Sequence, residues 1–175
     1  MKERRKAYPI ELKRKNSIKI AEILFDTEEF KKAKCVCTYM SAFGEVDTNE
    51  IILRCIEMQK KTAIPVTNEK TNTMSLSYIG KSFKKGAYGI LEPTKYDMCS
   101  FDEPDLILVP GICFDKYGAR IGFGKGYYDR FLMQTRGYKA GLCFEFQIVD
   151  KIESESHDIK MDAVICETGM YKMGG

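Results

Sequence analysis

Four consecutive apolar residues, Leu106 to Val109, followed at once by Pro110-Gly111, constrain this chain more than any other stretch. The run is long enough for a strand buried on both faces and too short for a buried helix. A strand of that kind needs cover above and below. Proline cannot donate to a ladder and glycine enters φ > 0, so the chain is predicted to turn where the strand's carboxyl end opens. In α/β sheets that rim is where ligands gather.

Past Asp115, Gly118 is followed by Gly122, Gly124 and Gly126 at alternate positions, with Arg120 ahead of them and Lys125 among them. Without Cβ atoms a ligand can approach the backbone, and successive N–H groups can line a concavity that suits an anion. From Tyr127 the pattern turns helical, with Tyr128, Phe131 and Leu132 on one face, so the loop is expected to end at a helix N-terminus. Phosphate is the expected guest. The alternative is a flexible surface loop carrying two solvated cations, and the buried strand before it and amphipathic helix after it weigh against that. The stretch is neither common nucleotide fingerprint. Gly124-Lys125 lacks a glycine at Ala119 and a Ser or Thr at Gly126, and Gly122-Phe123-Gly124 has Tyr127 where the dinucleotide pattern demands glycine.

A length of 175 residues predicts one domain over 1–175, large enough to bury a core without disulfides or a structural metal. No apolar run approaches a membrane span, and the basic start MKERRKAYPIELKRK leads into an amphipathic segment rather than a signal sequence. A cytoplasmic monomer is expected, with no membrane partner. Seven cysteines without a C-x-x-C pair argue against metal and disulfide frameworks and for small buried hydrophobes. A net charge of +3 is too mild to imply nucleic acid, although the first twenty residues carry eight Lys or Arg against Glu3 and Glu11. That concentration is a solvated helix face, a weak nucleic-acid patch or a phosphate-binding arm.

Along the chain, a helix is predicted over Ile10 to Phe25, a new helix start at Asp26 to Glu29, and a strand over Cys35 to Met40. Asp47 with Glu50 resembles a capping box before the helix of Ile51 to Met58. Strands follow at Thr62 to Thr67 and around Met74, Leu76 and Tyr78, then an irregular stretch, Lys81 to Ser100, of the kind that often binds ligands. After the glycine loop come a helix to about Gln134 and strands Tyr138 to Phe144 and Ala163 to Cys166. This alternation predicts an α/β fold, a three-layer α/β/α sandwich with a mostly parallel sheet. Its carboxyl rim would bring Met40 to Glu45, Pro110 to Tyr128 and Asp158 together, a set that suits an ATP-using enzyme.

At VPGICFDKYGARIGFGKGYYDRFL the sequence resembles the 5-formyltetrahydrofolate cyclo-ligase family, also called methenyltetrahydrofolate synthetase. Further matches are YMSAFGEVDT, GAYGILEP, GLCFEFQIV and HDIKMDAVICE. The resemblance implies ATP-dependent closure of 5-formyltetrahydrofolate to 5,10-methenyltetrahydrofolate with release of ADP and phosphate, on a fold related to the sugar-phosphate isomerases. It implies that Arg120, Ile121, Gly122, Phe123, Gly124, Lys125, Gly126, Tyr127 and Tyr128 surround the nucleotide phosphates, with Lys125 and Arg120 catalytic. Met40 and Glu45 would face the folate, and Phe123 to Tyr127 would border both ligands. Asp129 and Asp158 fall where the family holds Mg²⁺. The family also carries a Lys and an Arg four apart on its first helix that reach ATP; here Lys2 and Arg5, three apart, are the candidates. Val66 stands where members often have arginine after I/L-P.

The implied chemistry is phosphorylation of the formyl oxygen, which converts a poor leaving group into phosphate before N10 attacks. Such a transfer needs positioning and charge neutralisation, and no nucleophilic side chain. Read without the resemblance, Asp129 is more often a first-turn helix carboxylate and Asp158 a loop residue, Glu45 is equally a solvated acid, and Tyr127 and Tyr128 are usually core packing. A non-catalytic folate binder and a sugar-phosphate isomerase are the alternative functions.

Overall fold

Asp105 fixes the register at the centre of the fold. Its Oδ2 accepts from the amides of Lys34 (2.8 Å) and Cys35 (2.9 Å), while its own amide donates to Cys35 O and its carbonyl accepts from Tyr138 N. One residue thereby aligns three strands at their amino ends. The computed structural model describes residues 1–42, 44–68, 73–80, 83–85, 91–93, 97–124, 126–153 and 158–174. Its first half holds α1 (Lys2–Lys6), α2 (Ile10–Asp26), α3 (Glu28–Lys32), β1 (Cys35–Cys37), α4 (Asn49–Glu57), β2 (Lys61–Asn68), β3 (Thr73–Tyr78), β4 (Phe83–Lys85), β5 (Leu91–Pro93) and β6 (Asp97–Cys99). Then come β7 (Leu106–Pro110), β8 (Cys113–Asp115), β9 (Arg120–Ile121), α5 (Tyr127–Leu132), β10 (Tyr138–Leu142), β11 (Ile148–Val149), β12 (Ala163–Cys166) and β13 (Gly169–Lys172).

The main sheet runs β13-β12-β10-β7-β1-β2-β3-β6. Its middle pairings, from β12 through β10, β7 and β1 to β2, are parallel, and antiparallel strands close both edges. This is the mostly parallel α/β sheet expected from the strand and helix alternation. All five residues of β7 are buried, and they alternate between two cores. Leu106 and Leu108 meet Ile20, Leu24, Phe30 and Ile51 of α2, α3 and α4 on one face, whereas Ile107 and Val109 meet Phe114, Phe131 and Leu132 on the other. The second face is covered by the short α5 and a small sheet, β11-β8-β9, rather than by helices alone.

Several boundaries differ from expectation. Strand β1 stops at Cys37 instead of Met40 because, after Thr38 N donates to Ala63 O, the chain leaves the ladder and Tyr39 O accepts the hydroxyl of Thr48. The capping box at Asp47 does not form. Thr48 is the N-cap, and Asp47 Oδ1 accepts from Asn49 N at 3.0 Å, a tighter local turn than the Asp47–Glu50 spacing requires. Thr27 does cap α3, accepting from Phe30 N. Helix α5 ends at Leu132, and the stretch predicted as irregular contains the β4–β5 pair and the edge strand β6. Half of the stretch in which a binding loop was expected, including Gly86 and Gly89, lies outside the described residues. All seven cysteines are free and buried.

The small sheet docks through Phe114, which lies over Gly141 of β10. A Cβ at Gly141 would sit 2.4 Å from Phe114 Cε1, and the ring is fully buried. Gly141→Ala is therefore expected to destabilise the fold by about 1–3 kcal/mol, the usual cost of overpacking a core. Urea denaturation of the two proteins measures it; an unchanged midpoint would mean that the ring relaxes freely.

Candidate functional site

From β1 the chain steps outward to β2 on one side and, later, to β7, β10 and β12 on the other. The order reverses between β1 and β7, and at such a reversal the loops leaving adjacent strands diverge and open a crevice. A cavity of about 690 Å³ lies there, within the size range of small-molecule sites. Tyr39 and Met40 line it from beyond β1, Pro65 and Thr67 from β2, Met74 from β3, and Pro110 from the end of β7.

The glycine loop forms the facing wall. Arg120, Ile121, Gly122, Phe123, Gly124, Gly126, Tyr127 and Tyr128 all line this cavity, together with Glu45, Asp129 and Asp158. Of the individually named site residues, all line this cavity except Lys125, which lies outside the described residues, and the amino-terminal candidates Lys2 and Arg5. At Gly122 a Cβ would come within 2.7 Å of the Arg120 guanidinium, so any larger residue there would have to displace that side chain's end. Gly124 (φ +90°) and Gly126 (φ +63°, the N-cap of α5) adopt the left-handed conformation that glycine tolerates.

Arg120 is the buried cation of this cavity, its side chain only 4% exposed. Its Nη2 donates to Asp129 Oδ1 at 2.5 Å, its guanidinium lies 5.6 Å from the Tyr128 ring centre, and its Nε is buried with no partner among the described residues. Asp129 is thus more than a first-turn helix carboxylate. Its Oδ1 holds Arg120. With Asp158 on the same cavity, the donor set fits a hard ion that takes one or two carboxylates and completes its shell with water and phosphate oxygens. Among the described residues no cluster of three or more His, Cys, Asp and Glu donors occurs.

Glu45 is not a solvated acid. Its side chain is 11% exposed, Oε2 accepts from Ala42 N at 3.0 Å, and Oε1 lies 4.0 Å from Arg5 Nη2. Burial raises its carboxyl above the ordinary glutamate range, with the Ala42 amide, Arg5 and Lys13 opposing in part. Burial likewise lowers Arg5, so for both groups desolvation outweighs their mutual attraction across 4.0 Å. Burial also pushes the hydroxyls of Tyr39 and Tyr128 well up, keeping both neutral.

Arg5, which the resemblance singles out together with Lys2, is buried. It is 3% exposed, donates to Gly44 O and Gly111 O at 3.5 and 3.4 Å, and lies 5.2 Å from the centre of the Phe123 ring. It also lines a second cavity of about 670 Å³ with Lys2, Lys6, Lys13, Tyr8 and Phe123. Phe123 therefore borders both cavities. Lys2 opens only on the second one, separated from the glycine loop's other residues. Val66 points to the face of β2 opposite Pro65 and Thr67, so the arginine it replaces would not have faced the first cavity from this strand. Glu153 and Ile152 line the first cavity without any motif that marks them.

The raised Glu45 carboxyl has a defined sign. The folded state holds its proton to higher pH than the unfolded chain does, so ionisation costs stability as pH rises from about 4.3 through the raised value. Glu45→Gln keeps an oxygen for Ala42 N and removes the titration. Its thermal stability should fall less than that of the parent as pH rises above about 4.3. Parallel pH profiles of melting temperature check this, and identical slopes would contradict it.

The sequence profile of the 5-formyltetrahydrofolate cyclo-ligase family matches residues 1–167. A probable 5-formyltetrahydrofolate cyclo-ligase of Caenorhabditis elegans is 32% identical over 164 residues, covering 85% of this chain and 80% of its own. The 5-formyltetrahydrofolate cyclo-ligase of Mus musculus is 29% identical over 182 residues, covering 95% and 90%. The NMR structure of Aquifex aeolicus 5,10-methenyltetrahydrofolate synthetase superposes with a TM-score of 0.86 at 32% identity, covering 99% of this chain and 89% of that one.

Proposed function

The chain belongs to the 5-formyltetrahydrofolate cyclo-ligase family, and from that premise we propose how its two adjoining cavities divide the ligands of the reaction. The protein closes 5-formyltetrahydrofolate to 5,10-methenyltetrahydrofolate at the expense of ATP. Folate occupies the end of the larger cavity formed by Met40, Glu45, Pro65 and Met74, where apolar walls suit a pterin and the buried carboxylate accepts from its donor-rich edge. ATP enters through the smaller cavity, whose Lys2, Arg5, Lys6 and Lys13 are drawn to a polyphosphate. The single observation that carries this reading is Phe123, the loop residue that both cavities share.

In this arrangement the γ-phosphate meets the formyl oxygen beside Arg120 and the glycine loop. The formyl oxygen attacks phosphorus, ADP departs, N10 closes on the activated carbon, and phosphate leaves. Arg120 and Lys125 neutralise the charge on the transferring group. Asp129 and Asp158 would hold Mg²⁺, which supplies further neutralisation when bound. Seven buried free thiols suit a reducing, cytoplasmic setting.

The experiment is to follow methenyl absorbance and phosphate release with and without ATP and magnesium. Product formation is expected only when both are present. Binding of folate without turnover would favour the non-catalytic binder, and turnover of a sugar phosphate without ATP the isomerase.

Four substitutions test the assignments. Lys125→Ala should lower turnover with little change in melting temperature, whereas normal turnover would return that lysine to solvent. Asp129→Asn and Asp158→Asn should each raise the magnesium needed for half-maximal rate. Glu45→Gln should weaken folate binding by roughly ten- to a hundredfold, the worth of a charged hydrogen bond, and ATP binding much less. Calorimetric titration with each ligand distinguishes this from a general loss of structure, which would weaken both.

A further inference from the structure

Asp115 closes β8 with its side chain directed inward, and it is 1% exposed. Its Oδ1 accepts from Tyr117 N (2.9 Å) and Ala119 N (2.8 Å), and its Oδ2 accepts from Ile152 N (2.9 Å). The first two bonds fold the turn that delivers Arg120. The third reaches 37 residues along the chain to the segment whose Ile152 and Glu153 also line the larger cavity. Within the same turn, Gly118 O accepts from Met161 N at 2.8 Å, three residues past Asp158. The carboxylate therefore touches neither cavity, yet each of its oxygens holds the backbone of one wall.

We propose that Asp115 is a positioning residue of the cyclo-ligase reaction, which sets the distance between the wall carrying Arg120 and the wall carrying Glu153 and Asp158. The inference rests on the assignment of the reaction to this cavity. Its chemistry is that of an acceptor with two oxygens and no donor. A fold that needed only a tight turn at residues 115–119 would be served by one acceptor oxygen; the second serves the remote segment. Phosphoryl transfer between two bound ligands depends on positioning, and small displacements of a wall that carries a cation or a metal ligand are costly to rate.

Asp115→Asn separates the two functions. The amide oxygen can keep Tyr117 N and Ala119 N, which leaves its NH₂ facing Ile152 N–H, a donor against a donor, so only the remote wall is released. Amide exchange followed by NMR on the ligand-free protein should accelerate about tenfold at Ile152 and stay within about twofold at Ala119. In turnover, the magnesium needed for half-maximal rate should rise several-fold. Asp115→Ala should release both amides.

Ile152→Pro deletes the same bond from the donor side and serves if the Asn variant does not fold; it should raise the magnesium requirement alike. Equal acceleration at both amides in Asp115→Asn, or an unchanged magnesium titration in whichever variant folds, would overturn the proposal and leave Asp115 a general stabiliser. Failure of the unsubstituted protein to form methenyl product with ATP would instead overturn the assigned reaction, since the exchange pattern is read without ligands.

Discussion

The site depends on the pairing of β1 with β7, two parallel strands that run together for only a short distance. Asp105 locks them at their amino ends, so the divergence of the loops at the other ends is set by register. Were the two strands to slip by one residue, Leu106 and Ile107 would exchange cores and the turns at Gly44 and Gly111 would no longer meet the same guanidinium. Fold and chemistry share one constraint here. The β7 side chains that anchor the sheet to both covering layers also fix where Pro110-Gly111 releases the chain into the site.

Burial has a different consequence within the site. Arg5, Glu45 and Arg120 are charged groups largely withdrawn from water, and the first two are shifted toward their neutral forms. Such an arrangement is poor as a source of stability, because desolvation offsets the attraction of a pair held at 4.0 Å. It suits recognition. A ligand that brings donors to Glu45 or phosphate oxygens to the cations meets groups that water has already left, so less reorganisation accompanies binding.

How much of this was legible in the sequence follows from which patterns a local reading can carry. The apolar run of β7, the alternate glycines and the 3.6-residue periodicity of α2 and α4 are local, and they place the sheet's centre, the loop and the crevice. The strands β8, β9 and β11 are two or three residues long and have no periodicity to detect. They exist because Asp115, Gly118 and Phe114 find partners far along the chain. The burial of Arg5 was hidden for a related reason. Among eight basic residues, nothing local distinguishes the one that is buried from those that stay solvated, and its partners are two carbonyls and a carboxylate elsewhere. Glu45 shows the same limit in reverse: its SAFGEV context reads as an open loop, and only the closing of the turn by Ala42 N makes it a buried wall.

The Arg5 bond to Gly111 spans 106 residues. A ribosome adding about 5–20 residues per second leaves this helix without that carbonyl for roughly 5–20 seconds. During that interval the guanidinium remains hydrated, and α1 cannot be seated before the end of β7 has been made. A polyanion in the surrounding milieu can meet this basic segment before its own protein does, so the timing of synthesis, and not stability alone, governs when the second cavity acquires its wall.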